Sequence, residues 1–168
     1  MNYSTRDLNK TVKFIIIHYT GMKSFKEAYK KLSHLNSDVS CHYLISRKGI
    51  IFNLLSPNLK AWHAGKSEWK NLKSLNDYSI GIELENKGHE HGYTSFTKEQ
   101  YASLNKLISS LTFRYSLNPV NILGHSDISP NRKKDPGELF KWEQIKSILK
   151  VPSVKKLSLD SMLVKYGF

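Results

Sequence analysis

The chain has one cysteine, Cys41, in 168 residues. A lone thiol excludes an internal disulfide framework and a Cys-rich metal site, and it fits a reducing compartment. No stretch approaches the roughly 18 consecutive apolar residues of a transmembrane helix, so no membrane span is expected. The most apolar run, Phe14 to Ile17, is far shorter and ends in a histidine. Internal repeats and low-complexity blocks are lacking, which excludes solenoids and repeat arrays. Acidic residues are scarce: 14 Asp+Glu stand against 26 Lys+Arg, for a formal charge of +12. Excess base suggests nucleic acid, a membrane surface or an acidic substrate. No recognised nucleic-acid motif accompanies it, so no nucleic-acid partner is expected. What remains, 39% hydrophobic and 11% aromatic residues, suffices for one folded core and excludes wholesale disorder.

Period-2 and period-3.6 segments alternate along the chain. Val12–His18 reads as a buried strand. Ser24-Phe-Lys-Glu27 reads as a capping box that opens a helix to about Leu35, with Phe25, Ala28, Tyr29 and Leu32 on one face. Val39–Ser46 and Ile50–Leu54 form a hairpin around Arg47-Lys-Gly49. Ser56–Leu75 shows no period and reads as a long surface loop. Tyr78–Leu84 is a strand. Thr97-Lys-Glu-Gln100 is a second capping box, and the helix behind it runs to about Tyr115. Val120–Leu123 is a short strand, and a last helix covers about Leu139 to Leu149. The alternation predicts an α/β fold, a central mixed β-sheet flanked by helices. Residues 1–150 are expected to form one domain and residues 151–168 a short basic tail.

Among seven histidines, position selects two. His18 closes the first buried strand and His125 follows another. Ligands bind at the C-terminal ends of strands in open α/β sheets. Asp135 lies before Pro136-Gly137, a setting that presents one carboxylate on a sharp turn. Two imidazoles and a carboxylate match a catalytic zinc site with three protein ligands and an open position. No local signature such as His-Glu-x-x-His accompanies them, so three unrelated polar residues remain the competing reading on spacing alone. Cys41 and His42 are adjacent in a strand and point to opposite faces, so they do not form a nucleophilic dyad; a buried structural thiol and a hydrogen-bonded interior histidine are expected. His89 and His91, in Gly88-His-Glu-His-Gly92, read as exposed and incidental.

Six blocks occur in order: Phe14-Ile-Ile-Ile-His18, Cys41-His-Tyr-Leu-Ile45, Ala61-Trp-His-Ala-Gly65, Asn76-Asp-Tyr-Ser-Ile-Gly-Ile-Glu83, Gly124-His125 and Arg132-Lys-Lys-Asp-Pro-Gly137. Together they closely resemble the type 2 N-acetylmuramoyl-L-alanine amidases, the AmpD and AmiD group. That group shares its fold with the peptidoglycan recognition proteins and phage T7 lysozyme. The resemblance covers about residues 12 to 150.

The resemblance implies a zinc amidase that cuts the amide between the lactyl group of N-acetylmuramic acid and the L-alanine of the stem peptide. It places one Zn2+ on His18, His125 and Asp135. It makes Glu83 the general base, although Glu83 and Glu85 share strand parity and the residues alone do not choose between them. Lys133 would stabilise the oxyanion, whereas Arg132 and Lys134 read as surface charges. Trp62 and His63 would contact substrate from the long loop, and Tyr19 would border the groove. The T7 branch carries a catalytic tyrosine where this chain has Cys41, so the base must come from elsewhere. The implied partners are peptidoglycan fragments or muropeptides; a non-catalytic peptidoglycan-binding module is the alternative. The polar N-terminus favours the cytoplasm, with a periplasmic or cell-wall-facing site as the alternative. The tail, ending Leu163-Val-Lys-Tyr-Gly-Phe168, resembles the opening helix of a following peptidoglycan-binding domain.

Overall fold

The computed structural model describes residues 2–146. The tail at 151–168 and the end of the helix expected at 139–149 lie outside the described residues.

Five strands form the main sheet: β2 (Phe14–Tyr19), β3 (Tyr43–Ile45), β4 (Ile51–Asn53), β8 (Ser79–Leu84) and β9 (Ile122–Gly124), in the order β4-β3-β8-β2-β9. β3, β8, β2 and β9 run parallel, and β4 returns antiparallel as the hairpin partner of β3. The expected mixed sheet is therefore present. Both faces of its centre are covered, which is why β2 reads as an unbroken apolar run.

The pleat sorts β2 and β8 into two rows. Ile15, Ile17, Ile80, Ile82 and Leu84 face helix α3 (Lys98–Tyr115), which follows the short α2 (Gly88–His91) and supplies Tyr101, Leu104, Ile108 and Leu111. Each fully buried isoleucine of this layer is worth about 1.5–3 kcal/mol of transfer free energy. Phe14 and Ile16 face the other way, onto Ala64, Leu75, Leu123 and Ile128. By parity Ser79 and Gly81 lie in this second row beside Phe14 and Ile16, and His18 and Glu83 follow where its apolar side chains end.

Helix ends follow the sequence signals. Thr97 and Gln100 form the full reciprocal capping box of α3. At α1 (Phe25–Ser33) only half the box exists: the Glu27 N–H donates to Ser24 Oγ at 3.2 Å. Ala28 and Leu32 are buried, while Tyr29 is 41% exposed and packs edge-on against Phe52.

The segment expected to be a loop, 56–75, is more ordered than its pattern suggests. It contains β5 (Leu59–Ala61), the ribbon of β6 (Glu68–Trp69) with β7 (Leu72–Lys73), and the start of a 3-10 turn at Leu75–Asp77. β5 pairs antiparallel with β1 (Tyr3–Thr5). Strands of two or three residues are too short to display a period, which explains the difference. Arg6 fastens this layer: its guanidinium donates to the carbonyls of Asn76, Asp77, Pro57, Leu59 and Ser79 at 2.6–3.3 Å.

Candidate metal centre and active site

The site lies at the C-terminal ends of three neighbouring parallel strands, β8, β2 and β9. His18 is the penultimate residue of β2. Glu83 is its register partner on β8. His125 directly follows β9 as the first residue of the short helix α4 (His125–Ile128). Asp135 returns to the same place because the Ser126 N–H donates to its carbonyl oxygen at 2.9 Å. The Asp135-Pro136 segment packs closely on Gly124, where a Cβ would stand 2.7 Å from Pro136 Cδ. Glycine before His125 is thus a steric requirement of the site.

His18 Nδ1 lies 3.0 Å from His125 Nδ1 and 2.9 Å from Asp135 Oδ2, and His125 Nδ1 lies 3.1 Å from the same oxygen. All three residues are buried. Burial, reinforced by neighbouring His125, pushes the His18 imidazole down to about 4, so it is neutral at physiological pH. Crowding three lone-pair atoms together out of water is unfavourable unless a cation lies among them. A buried donor set of two imidazole nitrogens and one carboxylate oxygen suits zinc, with three protein ligands and a position left for water or substrate. The residues therefore fit the metal that the resemblance implies.

Glu83 stands beside this cluster. It is 9% exposed, and its Oε2 has no hydrogen-bond partner among the described residues. Burial, with the nearby Asp135 charge, pushes its carboxyl well above the ordinary range, and Lys133 opposes the shift. A buried carboxyl of raised pKa with a free oxygen has the properties of a general base. Glu85, by contrast, is engaged: its Oε2 accepts from the Arg47 N–H at 2.7 Å.

A cavity of about 410 Å³ opens over the cluster, lined among others by His18, Tyr19, His63, Glu83, Lys133 and Asp135. Tyr19 borders it, and its hydroxyl lies 2.8 Å from His89 Nδ1. Lys133 is half-buried on the cavity wall. Trp62 is not brought there: its indole N–H donates to Ser4 Oγ at 2.9 Å, toward the N-terminal strand. His63 is buried rather than presented on a loop, with Nδ1 3.0 Å from His18 Nε2.

Several residues do more than their sequence setting suggests. Arg132 is no free surface charge: its guanidinium donates to the Ala64 and Lys66 carbonyls at 2.7 and 2.9 Å. His89 is exposed but not incidental, since it joins Tyr19 to Glu138 (Nε2 to Oε2, 3.0 Å) and stacks on Tyr93 at 4.4 Å. Its only sequence signal is the glycine on either side of the His-Glu-His run. Cys41 and His42 are as expected. The thiol is buried, and burial pushes its pKa up. His42 is an interior histidine bonded to the Leu59 carbonyl and the Gly81 amide.

Comparison with known proteins bears on this geometry. Residues 8–138 match the N-acetylmuramoyl-L-alanine amidase family. The chain is 38% identical over 146 residues to the N-acetylmuramoyl-L-alanine amidase AmiD of Escherichia coli, covering 80% of this chain and 52% of that protein. It is 42% identical over 113 residues to the 1,6-anhydro-N-acetylmuramyl-L-alanine amidase AmpD of Haemophilus influenzae, covering 67% and 59%. Its fold superposes on E. coli AmiD in complex with anhydro-N-acetylmuramic acid-L-Ala-D-γ-Glu-L-Lys with a TM-score of 0.75, at 37% identity, covering 82% of this chain and 57% of that one. The chain thus spans between half and three-fifths of the length of these relatives. On fold, on site geometry and on a match spanning most of its length, the chain belongs to the N-acetylmuramoyl-L-alanine amidase family.

Proposed function

We propose that this chain is a zinc-dependent amidase that hydrolyses the bond between the lactyl group of N-acetylmuramic acid and the L-alanine of the stem peptide, in peptidoglycan or its anhydro-muropeptide fragments. The observation that carries the reading is the buried His18, His125 and Asp135 cluster with the unpartnered Glu83 carboxyl beside it.

Zinc held by His18 Nδ1, His125 Nδ1 and Asp135 Oδ2 would supply Lewis acidity at the scissile carbonyl and make water a better nucleophile. The remaining work belongs to side chains. An amide is a poor electrophile with a poor leaving group, so two proton transfers are needed. Glu83 takes a proton from the attacking water as oxygen adds to the carbonyl carbon. It then returns that proton to the alanine nitrogen as the C–N bond breaks. The Lys133 ammonium stabilises the charge that develops on the carbonyl oxygen. Tyr19 shapes the cavity wall. Lys31, Lys87, Arg132 and Lys134 also line the cavity and favour a carboxylate-rich stem peptide.

The test is to incubate the protein with anhydro-muramyl tripeptide and with intact sacculi, with and without a chelator. Released peptide that disappears on chelation is expected. No release from either substrate in the presence of zinc overturns the reading. The preferred substrate distinguishes fragment recycling from action on the intact wall.

A further inference from the structure

We infer that His63 and Ala64, consecutive residues of the Ala61–Gly65 segment, are positioning residues of the metal centre: the His63 side chain and the Ala64 carbonyl fix the tautomers of His18 and His125, turning both Nδ1 lone pairs toward Asp135. The inference rests on the metal site proposed above and departs from a substrate-contact role for His63.

The hydrogen bonds leave one consistent placement of protons. The Ser79 hydroxyl donates to the Leu75 carbonyl at 2.5 Å, so its only proton is committed. Ser79 Oγ also lies 3.2 Å from His63 Nε2, so that nitrogen must carry a proton and donate it. A neutral imidazole has one N–H, so a ring that donates through Nε2 presents its lone pair at Nδ1. His63 Nδ1 is then an acceptor, and at 3.0 Å from His18 Nε2 it receives the proton of that nitrogen. Neutral His18 is left with its lone pair on Nδ1, the atom that faces His125 and Asp135.

His125 is fixed by a shorter route. Its Nε2 lies 3.1 Å from the Ala64 carbonyl oxygen, which can only accept, while the Arg132 guanidinium nitrogen 3.4 Å away directs its two protons to the closer Ala64 and Lys66 carbonyls at 2.7 and 2.9 Å. Nε2 is therefore protonated and the lone pair again falls on Nδ1. Metal-ligating histidines characteristically donate their other ring N–H to a carbonyl or another acceptor, which fixes ring orientation and raises ligand basicity. Here adjacent residues of one segment supply both acceptors.

That segment is itself held on three sides. Asn76 Oδ1 accepts from the His63 and Ala64 N–H groups at 3.1 and 2.7 Å. Arg132 donates to the Ala64 carbonyl at 2.7 Å. Beneath the ring, Gly81 leaves the space that His63 fills: a Cβ there would stand 2.4 Å from His63 Cγ. Asn76, Ser79, Gly81 and Arg132 thus act on the metal centre through His63 and Ala64.

The test compares His63→Asn, whose Oδ1 retains an acceptor near the position of Nδ1, with His63→Leu, which removes it. Zinc affinity is read by chelator competition, and histidine tautomers by long-range 1H–15N correlation, with and without metal. We expect His63→Leu to lose about 10- to 100-fold in zinc affinity and His63→Asn to recover most of it. In the wild type, His18, His63 and His125 should all show the Nε2–H form. Equal zinc affinity of His63→Leu and wild type, or an Nδ1–H form of His18 in the metal-free protein, overturns the inference. If His63→Leu does not fold, Ser79→Ala replaces it, freeing the His63 tautomer while leaving the ring in place. It is expected to weaken zinc binding, and unchanged affinity counts against the relay. Neither readout requires amide hydrolysis. A protein that shows these tautomers and binds zinc but cleaves no muropeptide fails as an amidase without touching this inference.

Discussion

His18 and Glu83 are register partners on adjacent parallel strands, side by side on the same face of the sheet. The ladder that joins β2 to β8 therefore sets the distance between a proposed metal ligand and the proposed base. Neither group depends on a loop for its position. Such placement on rigid elements suits chemistry that requires a water to be deprotonated at a defined point.

From this follows the first expectation. Glu83→Gln keeps the shape of the site and removes the proton acceptor. Zinc stoichiometry should be unchanged, and turnover should fall about 10²- to 10⁴-fold, the range for a lost general base. Metal analysis beside a peptide-release assay checks both halves. Full activity of the variant removes Glu83 from the mechanism. Lys133→Ala should likewise keep zinc while lowering turnover.

Metal ligation makes a separate prediction about stability. A ligand that binds only the folded state at 100 times its Kd stabilises it by about 2.7 kcal/mol. Zinc should raise the melting temperature of the wild type, and a chelator should reverse the rise. His18→Ala and Asp135→Ala should show no zinc-dependent shift and no retained metal after desalting. A zinc-dependent shift equal to that of the wild type in either variant excludes that residue as a ligand.

Much of this site was legible in the sequence, for physical reasons. His18 and His125 follow apolar β-branched or leucine-containing runs that announce buried strands, and Asp135 precedes a Pro-Gly pair. The full capping box at Thr97 is a local signal with a local cause. By contrast, β5, β6 and β7 are held by pairings with distant or equally short strands and by the Arg6 guanidinium, which leave no period in the chain. The supporting residues were hidden for the same reason. His63 sits in a stretch without pattern, and its burial depends on Gly81 and Ser79 of another strand. Arg132 stands among basic neighbours in the sequence, and only the fold shows that its donors reach the Ala64 carbonyl. Long-range partners decide these roles, and residue type and spacing do not encode them.

His42 provides a pH test independent of the metal. Its Nδ1 accepts from the Gly81 N–H at 3.0 Å and its Nε2 donates to the Leu59 carbonyl at 3.1 Å. A second proton would displace the Gly81 bond, and burial lowers the imidazole to about 4. The unfolded chain takes up that proton near pH 6.5, before the folded chain does. Stability is thus fully present above about pH 6.5 and falls as pH drops toward 4. The slope should reach about 1.4 kcal/mol per pH unit for each such proton. Buried His63 and His18, shifted in the same direction, should steepen it, and Glu83, shifted upward, should offset about one proton of that slope. Urea unfolding of chelator-treated protein at several pH values measures the slope, and a flat profile between pH 6.5 and 4.5 contradicts the assignment.

Gly81 gives the sharpest steric prediction. It lies between Ser79 and Glu83 in the row that faces His63, and its missing side chain is the space the imidazole occupies. Gly81→Ala would place Cβ 2.4 Å from His63 Cγ and 2.7 Å from its Cδ2 and Nδ1. The ring is bonded at both nitrogens and cannot step aside without losing His18 or Ser79. Overpacking of this kind costs about 1–3 kcal/mol. Here it should also weaken zinc binding, because the displaced ring is the acceptor for His18. The variant should therefore lose stability in the presence of chelator and lose a further increment in the presence of zinc. A loss of the same size under both conditions would show that the ring moves without disturbing His18.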